Sequence, residues 1–178
     1  MLRELGRPFR AIGHHADETV PAGIAPERAA VSLAVRKAKS VSDALDAVTL
    51  IAADTLVAVG DDIIGKPADA ADAARILQRL SATPHCVVTG LCVVNLTERR
   101  RLTGFARTRV VMRPMSASEI AAYVAGGESM GKAGAYAIQE TGDRFVERIE
   151  GSLSNVVGLP MRLLQRMIAL AEEGQAAS

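Results

Sequence analysis

Apolar positions along the chain switch between helical and strand spacing. The segment "PERAAVSLAVRKAKSV" (26–41) repeats apolar residues at Ala30, Leu33, Ala34 and Ala38, one stripe of a helix. Pro26 and Glu27 suit its first turn, and Arg36, Lys37 and Lys39 suit its carboxyl end. "AVTLIAA" (47–53) is a continuous apolar run of strand length, predicted to be buried on both faces and central in a sheet. "LVAVGDDII" follows, with Gly60-Asp61-Asp62 as a turn. From Asp69 a second helix places Ala73, Ile76, Leu77 and Leu80 on one side. "HCVVTGLCVVNL" and "TGFARTRVVMRP" read as two long strands joined through the "ERRRL" turn, an antiparallel hairpin.

"SASEIAAYVAGG" opens with a capping box, Ser116 to Glu119, and stops at glycine. "RFVERIEG" is a short strand, and "PMRLLQRMIALAEEG" a last helix with Pro160 near its start. Residues 172–178 read as a frayed tail. At the other end "LRELG" looks like the final turn of a helix stopped by Gly6, and Phe9–Ile12 like a short strand. Helices and strands alternate without repeats, linkers or a composition shift. The pattern predicts one α/β or α+β domain around a mixed, twisted sheet.

Composition narrows the function classes. In 178 residues the apolar share is 49%, the charged share 23% and the net charge +1, so nothing favours bulk nucleic acid or an anionic membrane. Aromatic residues make up 3%, too few for a stacking platform. Cys86 and Cys92, six residues apart on one predicted strand, would lie about 20 Å apart, beyond disulfide reach. They read as small core residues of a reducing compartment. No apolar stretch suits a signal peptide or a membrane span, so a cytoplasmic protein is expected.

One acid interrupts the apolar run. Asp54 stands at its predicted end, where a carboxylate can serve as general base or metal ligand, or simply as an N-cap or turn former. Lys66 in "IGKP" is restricted by Pro67 and has a glycine before it; Lys132 in "GKAG" has the same setting. Lysines so placed suit phosphate, although a solvated surface role fits any lone lysine. "AADT", "GKAGAY" (131–136) and "EGSLSNVVGLP" (150–160) are rich in small residues that either admit a ligand to the backbone or make tight turns. His14-His15, near Asp17 and Glu18, read as a solvated loop before a metal site. The arginines at 99–101 read as an exposed hairpin tip. Walker, dinucleotide-binding and nucleophile-elbow signatures do not occur.

Taken in order, "LRELGRPF", "ADET", "LAVRKA", "AADT", "GKPADAADAARILQRLS", "SASEIAAYVAGGE", "KAGAYAIQ" and "FVERIEGSLSNVVGLP" make the chain resemble the Maf family from about Leu2 to Leu170. These are nucleoside triphosphate pyrophosphatases, also described as septum-formation inhibitors. The resemblance implies an α/β fold like that of inosine triphosphate pyrophosphatase. An elongated mixed twisted sheet is flanked by helices, with two lobes around a cleft, often in a homodimer. It implies hydrolysis of a nucleoside triphosphate to the monophosphate and pyrophosphate with a divalent cation, Mg2+ or Mn2+. By position, Asp54 would accept the proton of the attacking water, and Asp54 and Glu18 would hold the metal. Lys37, Lys66 and Lys132 would meet the phosphates, and Thr55 and Gln139 would bear on base choice. Thr55 matches the branch that takes dTTP and UTP, where the 7-methyl-GTP branch has Gln. A purine or modified nucleotide is the alternative substrate.

Two departures accompany the resemblance. The family's opening strand and Ser-x-Ser-Pro-Arg-Arg phosphate loop have no counterpart before "MLRELG", and Gly131 replaces an Asp ahead of Lys132. The first implies a single domain shortened at its start. It also implies an alternative: a weak or inactive relative that binds nucleotide or a division protein.

Overall fold

Five strands pair in the order β2-β1-β3-β4-β5: β1 Thr49–Val59, β2 Asp62–Ile64, β3 His85–Asn95, β4 Arg100–Met112 and β5 Val146–Glu150. The computed structural model describes residues 1–139 and 141–173, and all pairings among them are antiparallel. The expected α/β architecture, a sheet flanked by helices, is the one the chain forms, but among the described residues the sheet is antiparallel and not mixed. Helix α1 (Pro26–Ser42) covers one face of the sheet. Helices α2 (Ala70–Ala82), α3 (Ala117–Ala125) and α5 (Met161–Glu172), with the single turn α4 (Leu153–Val156), cover the other.

Strand periodicity sorts the core. Leu50, Leu56, Val88 and Cys92 meet the alanine-rich stripe of α1 at Ala29, Ala30, Ala34 and Ala38. Val57, Val87 and Val110 point the other way, to Leu77 and Leu80 of α2 and to Phe145, while Leu91 and Val93 meet Leu164 and Ile168 of α5. Small residues set the spacing on the α1 side. A Cβ at Gly90, in the middle of β3, would collide with the backbone of Ala30. The helix therefore lies directly on the sheet, closer than any side chain at that position would allow. Cys86 and Cys92, both free, lie on β3 as expected.

Local signals hold at several ends. Asp69 caps α2 by accepting from the Asp72 N–H, and the Ser116–Glu119 capping box opens α3 as predicted. Leu2–Leu5 form a 3-10 turn that stops at Gly6, whose φ of 64° is left-handed. The predicted tail falls, from residue 174 onward, outside the described residues.

Three expectations need correcting. Phe9–Ile12 form no strand: residues 8–21 run without regular structure, since two alternating apolar residues are too short a run to define a buried face. Asp54 is not at a strand end but mid-strand, opposite Gly90, because a further apolar run from Leu56 carries β1 on to Val59. β1 is also only partly central. Val57 and Ala58 pair with both β2 and β3, whereas residues 49–56 have β3 as their one strand partner among the described residues.

Candidate active site

Asp54 turns its side chain toward α1, as its even position on β1 requires. Lys37 comes down from α1 to meet it, with Nζ 2.5 Å from Asp54 Oδ1. The Gly90–Ala30 approach makes this short bridge geometrically possible. Both side chains are well covered, Asp54 at 10% and Lys37 at 16% exposure, so the pair is shielded from bulk screening. The same ammonium lies 2.7 Å from Glu18 Oε1. Lys66 Nζ lies 3.6 Å from Glu18 Oε2, and His14 Nε2 lies 3.7 Å from Glu18 Oε1.

Glu18 belongs to a segment without regular structure, yet its backbone is held. Arg36, next to Lys37 on α1, donates from Nη1 to the carbonyl oxygens of Asp17 (2.9 Å) and Thr19 (2.8 Å). Asp17 Oδ1 also accepts from the Thr19 N–H at 2.8 Å, a local turn that presents the residue between them. Arg36 was legible only as a helix-end charge, because its grip spans a loop whose path no periodicity encodes. Lys66 is fixed from both sides as well. Pro67 is buried, and the Gly65 carbonyl accepts from the Gly134 N–H at 3.3 Å.

Electrostatics follow from this geometry. Burial pushes the Asp54 carboxyl above its ordinary range, and the bond and charge of Lys37 only partly offset that. Burial works against the Lys37 charge, but the bonds from Asp54 and Glu18 outweigh it and raise the ammonium overall. Glu18 is held below the usual range, chiefly by its bond from Lys37. A carboxylate with raised proton affinity and two lysines therefore face one cavity of about 740 Å³, lined by Glu18, Lys37, Asp54, Thr55, Asp61 and Lys66.

The remaining expected residues divide. Thr55 lines the cavity, but its hydroxyl lies on the sheet face opposite Asp54, beside Thr89 Oγ1 (2.9 Å) and the Gly158 carbonyl (3.5 Å). Thr89 in turn reaches the Asn155 carbonyl at 3.2 Å, so Thr55 joins a buried polar network that ties "GSLSNVVGLP" to β1 and β3. Lys132 does not line the cavity, although its neighbour Ala133 does. Gln139 is exposed and also lies off its wall. Gly131 has a φ of 73°, a conformation glycine favours, so the replacement of an Asp there suits the observed turn. Asp61, read only as a turn former, stands on the cavity wall.

Among the described residues no group of three or more His, Cys, Asp or Glu side chains is arranged to hold a metal ion. Asp54 and Glu18 nevertheless offer two hard oxygen donors around the position of Lys37 Nζ. That suits a cation such as Mg2+, which keeps its waters and takes one or two carboxylates together with substrate phosphates.

Residues 1–171 match the family described as Maf-like protein. The chain belongs to the Maf-like protein family. Among its curated relatives is a protein of Pelotomaculum thermopropionicum, 40% identical over 168 residues, covering 94% of this chain and 88% of the relative. One from Salinibacter ruber is 44% identical over 169 residues, with 94% and 83% covered. A third, from Elusimicrobium minutum, is 40% identical over 168 residues, with 94% and 90% covered. All three are named dTTP/UTP pyrophosphatase. In this Maf-like chain the cluster around Lys37 brings two carboxylates and two lysines to one cavity.

Proposed function

We propose that this chain hydrolyses dTTP and UTP to the monophosphate and pyrophosphate, with Asp54 as general base. The observation that carries the reading is the convergence of Asp54, Lys37, Glu18 and Lys66 on one cavity. The names of the relatives support the substrate.

Asp54 accepts the proton as a water attacks the α-phosphorus. The bond to the β-phosphate bridging oxygen breaks, and that oxygen leaves with pyrophosphate. Negative charge accumulates on the leaving group, and Lys37 and Lys66 supply positive charge against it. Asp54 and Glu18 would hold a divalent cation, which would supply further charge neutralisation. Lys132 adds charge from outside the cavity wall, and Thr55 and Gln139 bear on base choice. For Thr55 that influence is exerted through its methyl group and backbone, since its hydroxyl is occupied.

A cytoplasmic homodimer acting on free nucleotides, with neither nucleic acid polymer nor membrane as partner, completes the reading. Two unbridged cysteines favour a reducing compartment, and no helix among the described residues is long and apolar enough to cross a membrane.

A second reading, a relative that binds nucleotide with little turnover, is favoured by the edge of β1 at 49–56, which among the described residues has a strand partner on one side only. Pyrophosphate release from UTP, dTTP and CTP with Mg2+ or Mn2+ separates the two. Turnover that falls about a hundredfold or more in Asp54→Asn, with an unchanged circular dichroism spectrum, supports the enzyme. Tight UTP binding without release supports the second reading.

A further inference from the structure

The Lys37 ammonium sits between two carboxylates, 2.5 Å from Asp54 and 2.7 Å from Glu18. It thereby fills the position around which those two groups would gather a metal ion. We infer that Lys37 is a resident counter-ion that ties entry of the divalent cation to entry of the triphosphate. The inference rests on the reading of this cavity as a nucleotide site.

Two features of the geometry support it. With Lys66 on the far oxygen of Glu18, the charges of Asp54 and Glu18 are matched by two ammonium groups, which weakens the pull of these two carboxylates on a lone dication. Second, the backbone of Lys37 cannot withdraw, because α1 is seated on Gly90 through Ala30. Only the flexible four-carbon stem can move the charge away. Phosphate oxygens give the ammonium new acceptors. When it turns to them, the oxygens of Asp54 and Glu18 are released together. Neither partner then needs to bind first with high affinity; each improves the other's affinity by the same factor.

The experiment is a titration with Mn2+, followed by electron paramagnetic resonance of the free ion, on the full chain. It is run without nucleotide and again with α,β-methylene UTP, which cannot be cleaved. The expected result is weak Mn2+ binding alone and binding about tenfold or more tighter with the analogue. Lys37→Met should raise Mn2+ affinity of the nucleotide-free protein about tenfold and abolish most of the dependence on the analogue. Lys37→Arg, which keeps the charge, should leave Mn2+ binding weak. If Lys37→Met does not fold, Lys37→Gln carries the same expectation. Equal Mn2+ affinity with and without the analogue overturns the inference. So does unchanged affinity in Lys37→Met, or an equal rise in Lys37→Met and Lys37→Arg. Failure to release pyrophosphate from UTP would instead strike the enzyme reading, and the Mn2+ titration without nucleotide would still report whether the ammonium competes.

Discussion

Gly90 on β3 lies so close beneath Ala30 of α1 that no side chain fits between them. The contact sets how far Lys37 must reach to Asp54, since both residues hang from the two surfaces it joins. Gly90→Ala forces the helix off the sheet, because the obstacle is backbone and not a flexible side-chain end. A loss of about 3 kcal/mol or more is expected in chemical denaturation, at the upper end of overpacking effects. Activity should fall even under conditions where the variant is folded.

Arg36 acts one step back from the chemistry. Its two bonds to the Asp17 and Thr19 carbonyls hold the turn that presents Glu18. Arg36→Ala should cost little stability, about 1 kcal/mol, because the guanidinium is partly solvated. It should lower kcat/KM about tenfold, with most of the effect in KM for the metal-nucleotide complex. Steady-state kinetics at several Mn2+ concentrations check this. An unchanged KM would mean that Glu18 is placed by other contacts.

The acid limb of the pH profile should belong to Asp54. Burial raises its carboxyl above the ordinary aspartate value of 3.8, so the base is lost to protonation at a higher pH than for an exposed aspartate. As pH falls, kcat/KM should decline while circular dichroism still reports folded protein. A profile that stays level until the protein unfolds would remove Asp54 from the role of base.

Glu119 offers a stability prediction away from the site. Its bond from Arg113, with the Ser116 cap, depresses its carboxyl to about 2 from the ordinary 4.5 of a glutamate. The folded pKa lies below the unfolded one, so the contribution is present above about 4.5 and is lost as pH falls toward 2. Glu119→Gln should therefore lower the thermal midpoint at neutral pH, with the difference from the unmodified chain shrinking below pH 4.5. Thermal melts at neutral and acid pH measure it.

These predictions differ in how far they were visible in the chain. The alanine stripe of α1, the Asp69 and Ser116 caps, and the β3–β4 hairpin are local patterns and were legible as such. So was Asp54 as an acid inside an apolar run. Its mid-strand placement was not, since one charge on an alternating strand looks like a strand end until a partner across the sheet is known, and Lys37 is that partner. Lys66 was legible from its place between Gly65 and Pro67, resemblance supplied the roles of Lys37 and Glu18, and their meeting depends on the seat of α1 over Gly90. Arg36 and Asp61 escaped notice because their roles arise from chain segments that pack together without a sequence period. Lys132 and Gln139 share a motif with Ala133 but not its place on the cavity wall.

The central claim, attack on the α-phosphorus by a water that Asp54 deprotonates, is tested most directly by hydrolysing UTP in water enriched in oxygen-18. The label is expected in UMP and absent from pyrophosphate, with incorporation lost in Asp54→Asn. Label in pyrophosphate, or release of single phosphate in place of pyrophosphate, would contradict it.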